Sequence, residues 1–260
     1  MTILDELAAY AKERTEANKA KISLADVRRD ALALPSSEFA FEKALAKDGM
    51  SFICECKKAS PSKGIIAEEF PYLEIAKDYE KAGADCISVL TEPKWFLGSD
   101  KYLQEIASTV KIPCLRKDFT VDEYMIYEAK ILGASAVLLI CSILSTSQIK
   151  EYIEICDGMG LTAIVETHNE DEIRSAIEAK ARVIGVNNRN LKDFTVDTGN
   201  SANLRKIVPS DILFVAESGI KDAEDVRKIS AIGADAILVG ETMMRSPDKT
   251  KMLRMLKGEL

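Results

Sequence analysis

The 260-residue sequence predicts an α/β fold, a closed (β/α)8 barrel behind an N-terminal helical extension, and three observations carry that prediction. From Ser51 onward one pattern repeats: a helical segment, a small-residue stop, an apolar run, then a polar loop. Three of the stops share their wording: Ala82-Gly83-Ala84-Asp85, Gly133-Ala134-Ser135-Ala136 and Gly233-Ala234-Asp235-Ala236. In each, glycine ends a helix and a short loop drops into a strand. The strand-like runs number eight, and their alternation with helices forces parallel pairing. Eight such units over roughly 210 residues match the size of a (β/α)8, or TIM, barrel. A doubly wound open sheet is the competitor, but it usually carries Gly-x-Gly-x-x-Gly after its first strand, and Lys57 to Gly64 lacks that turn.

Taken in order, Ile3, Leu4, Leu7, Ala8 and Ala11 recur at helical spacing, and Thr2 with Asp5 resembles a capping box. A second helix is predicted from Ser23, with Asp26 three residues on, and a third over 38–46 before the Asp48-Gly49 turn. Strands are predicted at 52–57, 86–91, 112–117, 136–140, 161–166, 182–187, 212–217 and 235–239. Helices are predicted between and after them at 68–82, 99–109, 121–132, 145–158, 169–179, 200–207, 222–232 and 247–257. No linker divides the chain, so residues 1–260 are read as one barrel domain, of which 1–50 is the extension.

Composition narrows the function. Hydrophobic residues at 47% and charged residues at 30% supply a core and argue against disorder. A formal charge of −7 argues against a broad nucleic-acid or membrane surface, yet leaves room for one basic pocket for a small phosphorylated or carboxylated ligand. Cys54, Cys56, Cys86, Cys114, Cys141 and Cys156 form no Cys-x-x-Cys pair and His168 is the sole histidine, so no metal site is expected. Cysteines in apolar runs fit a reducing, cytoplasmic setting. No signal peptide and no run of eighteen uncharged apolar residues is present, so a soluble, non-exported protein is expected.

The stretch Ser51 to Gly64 joins an apolar run to charge. Alternation in a strand puts Ile53, Glu55 and Lys57 on one face and Cys54 and Cys56 on the other, so one face presents an acid and a base together. The loop Ser60-Pro61-Ser62-Lys63-Gly64 follows, with hydroxyls and N–H groups suited to an anion. In a barrel every strand's C-terminal end faces one site. By the same alternation Glu55, Lys57, Lys117, Glu166, Asn187 and Glu217 point inward, and Arg116 faces the helices. Crowded unlike charges shift pKa values, as acid–base catalysis requires. An ion-pair network closing the barrel top is the plainer alternative. Ser218-Gly219 and Gly240-Glu241, after the seventh and eighth strands, sit where such barrels bind phosphate on backbone N–H groups, with the Glu241 carboxylate turned away. Trp95 and Phe96 stand where aromatics could line an aryl pocket, with loop packing the commoner reason for them, and His168 is read as incidental.

Glu55-Cys-Lys57-Lys-Ala-Ser60-Pro61-Ser62-Lys63-Gly64, Leu90-Thr91-Glu92, Leu115-Arg116-Lys117-Asp118-Phe119, Val165-Glu166, Gly185-Val-Asn187-Asn-Arg189-Asn-Leu191, Ala216-Glu217-Ser218-Gly219-Ile220 and Val239-Gly240-Glu241, in this order, resemble the indole-3-glycerol phosphate synthase family of tryptophan biosynthesis. The resemblance spans the chain. It implies closure of the indole ring of 1-(2-carboxyphenylamino)-1-deoxyribulose 5-phosphate with loss of CO2 and water, without metal or organic cofactor. Other tryptophan-pathway enzymes are the partners it admits. Lys117 then resembles the general acid on the ribulose carbonyl, Glu166 its acid/base partner, and Lys57 with Glu55 a pair serving the departing hydroxyl. Asn187, Arg189, Glu217 and Ser60 resemble substrate-positioning residues, and Phe119, Leu139 and Leu191 the aryl pocket. Ser218, Gly219, Leu238, Gly240 and Glu241 resemble the phosphate end. The chemistry is expected to use a Lys117 whose pKa a neighbouring lysine depresses. Two rivals stand beside this reading: a Schiff-base aldolase built on Lys117, and a non-catalytic phosphosugar-binding barrel.

Overall fold

The computed structural model describes residues 2–190 and 194–260. Eight parallel strands close into a barrel: β1 (Ser51–Cys56), β2 (Cys86–Leu90), β3 (Cys114–Lys117), β4 (Ala136–Ile140), β5 (Thr162–Thr167), β6 (Val183–Asn187), β7 (Leu213–Glu217) and β8 (Ala236–Val239), with β1 pairing both β2 and β8. Each strand is buried on both faces, which is why its sequence reads as a continuous apolar run rather than an alternating one. The repeated helix-to-strand wording has a hydrogen-bonding cause. Gly83, Gly133 and Gly233 take φ of 87°, 87° and 78°, the left-handed conformation that ends a helix. The aspartates that follow two of them, Asp85 and Asp235, accept the backbone N–H of Phe52 (2.8 Å) and Phe214 (2.7 Å) at the start of the preceding strand.

Inward-facing Ile53, Leu115, Leu138, Ile164, Val215 and Leu238 fill the barrel, while a second apolar layer lies between strands and helices. The extension runs from one end of the barrel to the other. Helix α1 (Ile3–Lys19), opened by the predicted Thr2/Asp5 capping box, lies over the C-terminal mouth, where Arg14 pairs with Asp118 (2.7 Å) and Lys19 with Asp122 (2.7 Å). Helix α2 (Leu24–Leu32) packs down the side against α6 (Glu123–Ile131). Helix α3 (Ala40–Leu45) closes the opposite end: Phe41 and Leu45 are fully buried among the interior residues, and the Glu42 N–H donates to Thr162 Oγ1 (3.1 Å).

Differences from the predicted elements have local causes. Strand β3 starts at Cys114, two residues late, because Pro113 has no N–H to donate, although its carbonyl still accepts from Ile87. The helix predicted from 68 is α4 (Tyr72–Ala82), since Pro71 denies the residue before it a helical conformation. Helix α3 begins at Ala40 because Glu38 and Phe39 take φ of 51° and 54°. The Ser60–Gly64 loop is a small hairpin in which Ala59–Ser60 pairs antiparallel with Gly64–Ile65. A short helix, Glu241–Arg245, springs directly from β8 ahead of the predicted terminal helix, which covers Lys249–Leu256.

Candidate active site

The C-terminal ends of the strands open into a cavity of about 590 Å3. Glu55 and Lys57 leave β1 together, with Lys57 Nζ 2.5 Å from Glu55 Oε1, and Ser88 of β2 donates to Glu55 Oε2 (3.4 Å). Across the cavity the last residue of β3, Lys117, donates to Glu166 Oε2 on β5 (2.8 Å) and Glu217 Oε2 on β7 (3.2 Å). Asn187 at the end of β6 donates to Glu166 Oε1 (3.2 Å). Two acid–base pairs thus face each other, carried by β1 on one side and by β3, β5 and β7 on the other, and neither is a surface ion pair, because Glu55, Glu166 and Glu217 are all buried. Glycine makes room for them. A Cβ at Gly185 would overlap Glu217 Oε1, and one at Gly240 would overlap Glu55 Oε1 and stand 3.0 Å from Lys57 Nζ.

The electrostatics correct one expectation. Burial alone would lower the Lys117 pKa, but the charges of Glu166, Glu217 and Glu55 outweigh it and hold the ammonium well above its ordinary range. Among the described residues no neighbouring lysine depresses it; Lys57 faces Glu55 instead. Burial raises the Glu166 carboxyl, and Lys117 and His168 more than reverse that, so Glu166 stays ionised far below the usual range. Glu217 goes the other way: burial raises it, Lys117 opposes, and the adjacent Glu166 charge pushes it up further. Among the described residues one oxygen of Glu217, Oε1, has no hydrogen-bond partner, as suits a carboxyl that holds its proton more firmly than its neighbour.

Every predicted site residue lines this cavity except Leu139 and Leu191. Leu139 is a correction: fully buried, it points outward among the helices, while Leu138 and Ile140 line the cavity. Alternation decides it, because Ala136, Leu138 and Ile140 share the inner face of β4. Leu191 lies outside the described residues. At the far side Ser218 and Gly219 both take left-handed φ, 68° and 92°, and Gly240 opens the short helix Glu241–Arg245. After β7, however, α10 (Ala223–Ala231) starts several residues later on an Asp222 cap, so only β8 leads straight into a helix N-terminus. The Glu241 carboxylate is engaged by Arg245 (3.0 Å) and approached by Lys63 at 4.0 Å.

Sequence reasoning missed several residues. Phe96 lines the cavity with its ring 6.0 Å from that of Phe119, held there because buried Glu92 accepts the N–H groups of Lys94, Trp95 and Phe96 at 2.8–2.9 Å. Ile3, Leu4 and Leu7 bring the extension into the wall, on the apolar stripe the helical spacing already displayed. His168, read as incidental, stands with Nε2 3.4 Å from Glu166 Oε1. Among the described residues no group of three or more His, Cys, Asp or Glu could hold a metal ion. No described helix is long and apolar enough to cross a membrane.

A closed parallel barrel with paired ammonium and carboxylate groups at its C-terminal mouth, beside the left-handed Ser218-Gly219 turn and a helix that opens at Gly240, defines a barrel enzyme of acid–base chemistry on a small anionic substrate. Residues 4–256 match the indole-3-glycerol phosphate synthase family, and the chain belongs to it. The indole-3-glycerol phosphate synthase of Ruminiclostridium cellulolyticum is 58% identical over 257 residues, covering 98% of this chain and 99% of that protein. That of Endomicrobium trichonymphae is 53% identical over 256 residues, covering 98% and 99%. Among solved structures, 3-hexulose-6-phosphate synthase from Salmonella typhimurium superposes with a TM-score of 0.63 at 15% identity, over 80% of this chain and 97% of that one, a likeness of fold alone.

Proposed function

We propose a residue-level mechanism for the reaction of this family, ring closure of 1-(2-carboxyphenylamino)-1-deoxyribulose 5-phosphate to indole-3-glycerol phosphate with loss of CO2 and water. The observation that carries it is Lys117 at a strand end, within 2.8 Å of Glu166 and 3.2 Å of Glu217 in the cavity. Attack of the carboxylate-bearing ring carbon on the ketone forms a carbon–carbon bond and leaves charge on the ketone oxygen. Lys117, kept as an ammonium by its carboxylates, gives that oxygen a proton. Breaking the bond to the carboxylate releases CO2 and restores the aromatic ring. In the last step Lys57, beside Glu55, protonates the departing hydroxyl, and ionised Glu166 takes the proton that the ring gives up. Asn187 holds Glu166, and Arg189, Ser60 and Glu217 position the substrate. Phe119, Phe96 and Leu138 receive the aryl ring, and the Ser218-Gly219 and Gly240-Glu241 backbone, with Leu238, receives the phosphate. Cytoplasmic placement, and association with other tryptophan-pathway enzymes, rest on family membership.

The aldolase alternative needs Lys117 as a neutral amine, and its surroundings favour the opposite form. Incubation with the substrate, following indole fluorescence and CO2 release, is the test. Unchanged substrate would leave only a binding barrel, and borohydride trapping of a sugar phosphate on Lys117 would replace cyclisation with Schiff-base chemistry.

A further inference from the structure

Behind Glu166, outside the cavity wall, the chain builds a second polar layer that the mechanism above does not use. His168 leaves the end of β5 two residues after Glu166 and is not part of the cavity wall. Its ring is held on one side by Glu172 of α8 (Glu170–Glu178): Nδ1 is 3.1 Å from Glu172 Oε2, and the same oxygen accepts the His168 backbone N–H at 2.8 Å. Ser142, in the loop after β4, donates to Glu172 Oε1 (2.8 Å) and lies 3.4 Å from Nδ1. Asn200 of α9 (Gly199–Leu204) donates to the His168 carbonyl (3.3 Å). These restraints aim Nε2 at Glu166 Oε1, 3.4 Å away, and among the described residues the buried Nε2 has no hydrogen-bond partner. A buried ring nitrogen without a hydrogen bond, facing a buried carboxylate, marks an electrostatic contact rather than packing.

We propose that His168, held by Glu172, is a positioning residue for catalysis: its imidazolium fixes the Glu166 carboxylate with Oε2 toward Lys117 and the substrate, and keeps Glu166 ionised between turnovers. The reading rests on Glu166 as the acid/base group. The charges around the site support it. Burial would lower the His168 pKa, but Glu166 and Glu172 raise it to about 10, so the ring is cationic at neutral pH. Glu172 is lowered by the same pairing despite its burial. Among the described residues, the other titratable groups near Glu166 and Glu172 are Lys117 on β3, Glu217 on β7 and Cys141, whose thiol burial and the two carboxylates push up to about 12. None of these three supplies a second cation on the Oε1 side.

Because His168 is the only histidine, its ring can be read without assignment. In protein carrying 15N-labelled histidine, both ring nitrogens should be protonated at pH 8, with titration well above 6.5, and Glu172→Gln should bring that titration down. In His168→Gln, which keeps an N–H donor and loses the charge, the acid limb of kcat/KM should move up by about 1–3 pH units. Its KM and its kcat on the alkaline plateau should stay near wild type. His168→Ala should lose the orientation too, with kcat lower at every pH. A ring that titrates near 6.5, or a His168→Gln enzyme whose acid limb does not move, overturns the proposal. So does a fall in activity of both variants that follows only a loss of folded protein, measured by thermal denaturation. Glu166→Gln separates the two readings. Near-normal turnover in that variant removes Glu166 as acid/base group, whereas lost turnover there beside an unmoved acid limb in His168→Gln removes the positioning role alone.

Discussion

The two ends of this barrel are made by the same strands and filled by opposite chemistry. At the N-terminal end Phe41 and Leu45 of α3 plug the interior, fully buried among Ile53, Ala136 and Val215. At the C-terminal end the inward positions next in register carry Glu55, Lys117, Glu166 and Glu217 around an open cavity. Strand alternation treats both ends alike; only residue identity differs. The closed end gains stability from apolar burial, while the open end confines charges at the expense of desolvating them. The difference implies that substitutions at the two ends separate stability from turnover.

The largest effect should come from the open end. Lys117→Ala removes the proton donor, and turnover followed by indole fluorescence should fall on the order of 10²–10⁴-fold. Its melting temperature should stay close to that of the wild type. At the closed end Phe41→Ala should do the reverse, costing about 3–5 kcal/mol in denaturant unfolding while leaving kcat of the folded enzyme within a few fold. Near-normal turnover in Lys117→Ala would hand the acid role to Lys57 or water. A severe loss of kcat in folded Phe41→Ala would show that the plug shapes the site.

A sharper contrast lies within the open end, between two glycines that the sequence assigns to the same phosphate group. A Cβ at Gly219 meets Thr198 and Val196 side chains at 2.8 Å, whereas one at Gly240 meets the Glu55–Lys57 pair. Gly219→Ala also strains a residue at φ 92° and should mainly raise KM, because phosphate contacts stabilise substrate and transition state alike. Gly240→Ala should lower kcat as well, since it displaces an acid–base pair. Steady-state kinetics with inorganic phosphate as competitor tests both. Equal, KM-only defects would return Gly240 to a pure phosphate role.

These contrasts also show what the sequence carried. Strand identity and the inward set Glu55, Lys57, Lys117, Glu166, Asn187 and Glu217 were legible because period-two alternation and the strand-end rule need no coordinates. The same rule, applied to β4, would have chosen Leu138; taking Leu139 from resemblance by one position put an outward residue in the pocket. The path of the extension was not legible, since helical spacing marks a buried face but not its partner, and here α1 walls the open mouth while α3 plugs the opposite end. The state of Lys117 was missed because it depends on distances to Glu166 and Glu217 that only folding sets. His168 carried no sequence signal beyond standing two residues from Glu166, and its partner Glu172 comes from the next helix.

The smallest expected effect concerns pH and comes from the carboxyl that the open end favours least. Glu217 has its pKa raised in the folded state above the ordinary 4.5, by burial first and by the Glu166 charge beside it. A native state that binds the proton more tightly than the unfolded chain loses stability as pH rises. This contribution therefore falls from about pH 4.5 up to the raised native value and is flat beyond it. Glu166 has the opposite sign: its pKa is lowered, so its contribution is present above 4.5 and lost as pH falls through the native value. Glu217→Gln keeps the shape and removes only the ionisation. Its stability relative to wild type should grow as pH rises from 4.5 to 8, a trend that Phe41→Ala at the closed end should lack. Urea unfolding of all three proteins across that range measures it, and a Glu217→Gln difference that does not vary with pH would mean that Glu217 ionises in the folded enzyme as easily as in the unfolded chain.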